Sequence, residues 1–411
     1  MNGNAAIYRG FFASVTTMNH LKHTLVGLIG FGFSCSSLLG CTTTPDAPPD
    51  LVNRAYIVSR DSDDLTVIDL DRLAVIGVVH TAGIANHMAE LNADFTKLYV
   101  DSESTNESIV VDATRLAVVK RIPTGDSPTH VSLSRDGSFV AVMNEYDDSV
   151  SFIDTATDTE IKRLPGFYTP HFMRYSLDGR YGYVANIGAY HLTRVDLSTK
   201  QIVDHIALDG FSGPPAAQAA PGETGFADAQ IDPDGMLYAA HAMAARVLVY
   251  DTVAGEKVAE HAVGPMPWIA YAEHPFFELP RRQVVPSFGD QTVAVLRGTT
   301  PAATVAAGDQ QSFGVNYSPL APNKAFVMNR VRGNVTVVDT SLGTIADVIP
   351  TGGNTETAST TRDGKWIVTT VSSTNQVVVI DARTDQIVKT FDNVGVYPWS
   401  VTIPLGQNYC H

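Results

Sequence analysis

The sequence predicts an all-β protein built as a single β-propeller of eight four-stranded blades, with seven as the alternative, closed by pairing of its N- and C-terminal strands. Three observations predict it. A β-branched run ending in Asp recurs about every 42 residues, an Asp-Gly turn recurs inside the same units, and no sustained 3.6-residue periodicity follows residue 40. The 411 residues are 44% hydrophobic and 17% charged, a globular balance that excludes a disordered, collagenous or disulfide-scaffold chain. With 43 acidic against 28 basic side chains the net charge is −15 and no basic patch interrupts it, so no nucleic-acid partner is expected.

From the N-terminus, residues 1–40 read as a lipoprotein signal peptide. They contain no Asp or Glu and carry only Arg9 and Lys22 as fixed charges. Their apolar run from Leu25 to Phe33 is too short for a spanning helix. Met18 is an alternative start that leaves a compact basic leader ahead of that run. The stretch ends in Leu38-Leu39-Gly40-Cys41, which resembles the lipobox of bacterial lipoproteins. The resemblance implies cleavage before Cys41 and lipidation of its sulfur, with palmitate among the acyl groups. It places the protein in the cell envelope, anchored to the outer membrane and facing the periplasm or the cell surface. Residues 41–52, with Pro45, Pro48 and Pro49, read as anchor and tether. Cys41 and Cys410 alone remain after cleavage, so an acylated Cys41 leaves no intramolecular disulfide.

Residues 53–411 read as the propeller. The recurring phrase is Thr66-Val67-Ile68-Asp69, then Ile109-Val110-Val111-Asp112, Ser151-Phe152-Ile153-Asp154, Thr193-Arg194-Val195-Asp196, Leu248-Val249-Tyr250-Asp251, Thr336-Val337-Val338-Asp339 and Val378-Val379-Ile380-Asp381. An eighth copy, Thr292-Val293-Ala294-Val295-Leu296, keeps the strand and loses the Asp, and it is the unit whose irregularity would reduce the count to seven. The turns are Arg135-Asp136-Gly137, Leu177-Asp178-Gly179, Pro233-Asp234-Gly235 and Arg362-Asp363-Gly364, where Gly accepts the positive φ that a tight hairpin requires. Each unit therefore reads as strands a to d, with the Asp-Gly turn between a and b and the Asp-terminated phrase as c. Arg54-Ala55-Tyr56-Ile57-Val58 looks like a b strand with no a before it, and Pro398-Trp399-Ser400-Val401-Thr402-Ile403 like an a strand. Together they complete one blade.

Gly182-Tyr183-Val184-Ala185-Asn186 and Ala325-Phe326-Val327-Met328-Asn329 resemble YVTN-type propeller repeats. The unit count is similar to that of the eight-bladed haem-domain propellers of cytochrome-type nitrite reductases. This resemblance covers nearly the whole chain after the tether and implies the fold; such propellers serve many roles.

Candidate site residues follow from the predicted topology, which puts d–a and b–c loops on one face. His87, His130 and His171 stand at or just before the start of three consecutive a strands, spaced 43 and 41 apart. Imidazoles gathered at the channel mouth are ligands for a transition metal, Zn or Cu, or for haem iron. The plainer reading is that each bonds a neighbouring loop. His241, at a strand-b end where other units have Asn, is a fourth ligand or a polar cap. Arg330 and Arg332, in a b–c loop, are candidates to clamp carboxylates of a cofactor or substrate, or are simply solvated. The insertion Asp209 to Gly225 lies on the same face as a lid or a tolerated loop. Trp268 and Trp399 read as packing between blades, and the repeated Asp residues as turn formers.

No Cys-x-x-Cys-His, Gly-x-Ser-x-Gly, His-Glu-x-x-His, Walker or dinucleotide glycine motif follows the leader, which disfavours covalent haem and several enzyme classes. The sequence therefore leans away from an enzyme. It favours a membrane-anchored binding or accessory module with a metal or cofactor at the channel mouth and a periplasmic protein partner. The alternatives are a haem-dependent oxidoreductase, a metal-dependent lactonase or lyase with Asp228 and Glu356 as carboxylates, or a protein scaffold.

Overall fold

The computed structural model describes residues 9–11, 49–210, 218–219, 223–272, 282–298, 300–306 and 311–410. Cys41 and most of the leader and tether lie outside them. Eight antiparallel sheets follow one another around a ring, seven of four strands and one of six, in which two further strands extend a four-stranded blade. Blade 1 joins the two ends of the chain: Pro398–Thr402 is its strand a, followed by Arg54–Ser59, Asp64–Asp69 and Ala74–His80. The a strands of blades 2 to 5 are Asn86–Leu91, Pro128–Leu133, Pro170–Tyr175 and Phe226–Ile231, and those of blades 7 and 8 are Ser312–Tyr317 and Thr355–Thr360. The weak unit is a full blade 6, with a short strand a at Tyr271–Ala272 followed by Arg282–Pro286, Thr292–Arg297 and Thr300–Ala306. The count is eight.

The turn chemistry is local and repeats. At the a–b hairpins Asp136, Asp178 and Asp363 each accept a hydroxyl two residues before and an N–H two residues after, while Gly137, Gly179 and Gly364 take φ between 70° and 74°. At the c–d turns Asp69, Asp112, Asp154, Asp196, Asp251, Asp339 and Asp381 accept the N–H groups two and three residues on. Arg297 stands at that place in blade 6 and donates instead to the carbonyls of Thr340 and Ser341.

Blades pack face to face through their b and c strands, and the largest buried side chains include Tyr56, Tyr99, Tyr183 and Tyr238 on the b strands of blades 1, 2, 4 and 5. Lys97 bridges to Asp158 in the c–d turn of the next blade, and Lys324 to Asp385 in the same relation. Strand a is the edge of its blade facing the channel, with carbonyls that, outside blade 8, no neighbouring strand pairs. Side chains from the preceding blade cover them: Thr357 donates to Trp399 O, Ser400 to His87 O, Thr402 to Ala89 O, Ser359 to Val401 O and Arg174 to Ala229 O. After strand a of blade 1 the chain reverses at Ile403–Gly406, and Gln407–Cys410 pairs with strand a of blade 8 instead of fraying; Arg9–Phe11 pairs with its other edge. Among the described residues no helix is long and apolar enough to cross a membrane.

Candidate functional site

A one-residue bulge opens strand a in blades 1, 3, 4 and 5, and a register shift at the same place occurs in blades 2, 7 and 8. Such a bulge re-aims the side chain it carries. The bulge register puts Trp399, His87, Thr129, His171, Ala227, Phe313 and Glu356 at equivalent places, with Trp268 after the Pro267–Ser287 bridge in blade 6. This corrects the expected equivalence of the three histidines. Asn86, Pro128 and Pro170 each pair with the last residue of strand b, 42 residues apart, so Thr129 is level with His87 and His171, and His130 is one place further on.

The three rings nonetheless meet. His87 and His130 have ring centroids 4.7 Å apart, His130 and His171 4.2 Å. Contacts continue around the mouth, from His171 to Trp268 at 6.3 Å, Trp268 to Phe288 at 6.4 Å and Phe288 to Phe313 at 5.9 Å. The Arg330 guanidinium lies 3.7 Å from the Phe313 ring centre and 4.9 Å from that of Trp399, and Trp399 returns to His87 at 5.3 Å. The circuit is half imidazole, over blades 2 to 4, and half apolar, closed by one cation. Both tryptophans, read from sequence as packing, are members of it.

Glu145, which the sequence reading missed, completes the polar half. It follows the last residue of strand b in blade 3, as Glu103 does in blade 2 and Arg60 in blade 1, so the repeat period was the signal that could have found it. His130, Glu145 and His171 each present a donor atom within 4.8 Å of the others, and all three are buried. Thr129 links them: its Oγ1 donates to Glu145 Oε1 at 2.8 Å and lies 2.7 Å from His130 Nδ1, and its carbonyl oxygen lies 2.7 Å from His87 Nδ1.

The other expected residues are placed apart from this set. His241 is buried between Phe226 and Tyr190, and its Nδ1 accepts the Ala244 N–H at 3.2 Å, closing the b–c loop of blade 5. Burial is the main reason its pKa falls to about 4. Arg330 is ion-paired through Nε with Glu356, whose other oxygen accepts from Ser372 Oγ at 2.6 Å and Tyr397 Oη at 3.2 Å. Its charge is thus neutralised within the chain. Arg332 is exposed on the adjoining loop. Described parts of the insertion lie against the b–c loop of blade 4, where Ala189 bridges to Gln218 and Gly225 N donates to Ile187 O.

Bonds of about 2 Å to nitrogen or oxygen need donor atoms about 3.3 Å apart, and those of His130, Glu145 and His171 lie within 4.8 Å of one another. A tetrapyrrole does not fit. His87, His130 and His171 are each 0% exposed, so a planar macrocycle would reach them only if the described residues packed around the rings moved apart.

A family model described as a YNCE-like beta-propeller matches residues 70–214. No curated protein sequence matches the chain. Among solved structures the chain is similar to the dihydro-heme d1 dehydrogenase NirN in complex with DHE, with a TM-score of 0.71 and 17% identity over 89% of this chain and 78% of that one. It is also similar to apo AztD from Citrobacter koseri, with a TM-score of 0.61 and 14% identity over 85% and 96% of the two chains. For the hydrazine synthase of Kuenenia stuttgartiensis the TM-score is 0.52 and the identity 16%, over 83% and 99%. At these identities the likeness is one of fold. The expected resemblance to haem-domain propellers holds at that level.

Proposed function

We propose that this propeller is an envelope-anchored accessory module that holds one zinc or copper ion at the channel mouth, between His87, His130 and His171 beside Glu145. One observation carries the reading: His130 and Glu145 of blade 3 and His171 of blade 4 bring donor atoms within 4.8 Å of one another in a buried cluster, with the His87 ring 4.7 Å from that of His130. A small divalent ion among buried imidazoles and a carboxylate would offset part of the cost of desolvating them. Anchoring rests on the Leu38-Leu39-Gly40-Cys41 motif. A partner protein that delivers or receives the ion completes the role.

The test is the metal content and visible spectrum of the chain lacking residues 1–41. About one zinc or copper per chain is expected, falling to background in His130→Ala and His171→Ala. Wild-type protein that neither contains nor takes up either ion overturns the reading, and a Soret band would favour haem instead. The anchor is tested separately: Cys41→Ala should move the full-length protein from the membrane to the soluble envelope fraction. Unchanged membrane association would remove the lipoprotein assignment.

A further inference from the structure

We propose that Thr129 is a positioning residue that sets the tautomers of two histidines at once, so that imidazole Nε2 atoms hold the ion and Glu145 orients them without ligating it. This rests on the metal-holding reading. Thr129 occupies in blade 3 the place that His87 and His171 occupy in blades 2 and 4, and so sits between them in the ring. Its carbonyl oxygen, 2.7 Å from His87 Nδ1, can only accept, so that nitrogen carries the proton. Its hydroxyl has one proton, which goes to Glu145 Oε1 at 2.8 Å. The same oxygen therefore accepts from His130 Nδ1 at 2.7 Å.

With Nδ1 facing Thr129 as the donor in both buried rings, Nε2 is the nitrogen placed to ligate a metal. The His130 Nδ1 to Glu145 Oε1 distance of 3.6 Å is too long for a hydrogen bond, which leaves the hydroxyl as the relay. A carboxylate acting through a hydroxyl on the far side of a ligating ring fixes its orientation and raises its basicity. The threonine that breaks the run of equivalent histidines thus serves the two beside it.

The experiment uses the chain lacking residues 1–41, with circular dichroism confirming that each variant is folded. Imidazole nitrogen NMR on metal-free protein should show the Nδ1–H tautomer at His87 and His130. Thr129→Val, which keeps the shape and removes the hydroxyl, should shift His130 to a tautomer mixture and leave His87 unchanged. Zinc affinity should fall about 10- to 100-fold in that variant and recover in Thr129→Ser. Glu145→Gln should cost no more than Thr129→Val. Loss of all binding in Glu145→Gln alone would make Glu145 a ligand and overturn the proposal. So would a Thr129→Val variant with an unchanged His130 tautomer. Wild-type protein that binds no zinc or copper while showing the expected tautomers would sink the metal reading and leave the tautomer assignment standing.

Discussion

Asp196 shows how a single repeated residue contributes. The Ser198 hydroxyl, and then the Thr199 N–H, hold its pKa down at about 2 from an ordinary 3.8. A carboxylate depressed in the folded state stabilises it above its unfolded pKa and loses that effect as pH falls through the folded one. The stability gap between wild type and Asp196→Asn, read by thermal unfolding, should therefore be largest near neutrality and close between about pH 4 and pH 2. His191 makes the matching case for a base. Burial, and then the neighbouring His205, lower its pKa from 6.5 to about 4. Protonation then favours the unfolded chain, so this contribution is complete above about pH 6.5 and is lost as pH falls toward 4. His191→Gln should lose less melting temperature than wild type between pH 7 and pH 4, and equal losses would refute the assignment.

Among the elements, the insertion between blades 4 and 5 makes a close approach to blade 4 at its C-terminal end. A Cβ on Gly225 would stand 1.7 Å from the Ala189 carbonyl oxygen, at the b–c loop of blade 4. Gly225→Ala should destabilise the protein by about 1–3 kcal/mol through overpacking, measured by denaturant unfolding. It should also speed proteolysis next to Gly225, since that residue must shift away from the Ala189 carbonyl. The bulge is the other decisive element. Asp-Gly turns and Asp-terminated strands were legible because each is a local rule, satisfied by hydrogen bonds within five residues. The bulge depends on how strand b of the same blade pairs with strand a, and so the register that separates Thr129 from His130 was invisible in spacings of 43 and 41.

For the whole molecule, closure depends on Pro398–Thr402 completing the sheet begun by Arg54–Ser59. Deleting 398–411 should abolish cooperative unfolding, because it removes one strand of blade 1 and exposes the edges of blades 8 and 2. Deleting 407–411 removes only the added strand on blade 8 and should leave one cooperative transition at a nearly unchanged melting temperature. Similar behaviour of the two truncations would contradict this account of closure. By itself the sequence determined the propeller architecture and a count of eight blades with seven as the alternative, because a repeat of local turns and β-branched runs dictates equal units that must close to hide their edges. Only the tertiary structure decided which side chains share the mouth. Glu145, Trp268, Trp399 and the Arg330–Glu356 pair enter the ring from separate blades, and their contacts depend on inter-blade distances that no single strand encodes.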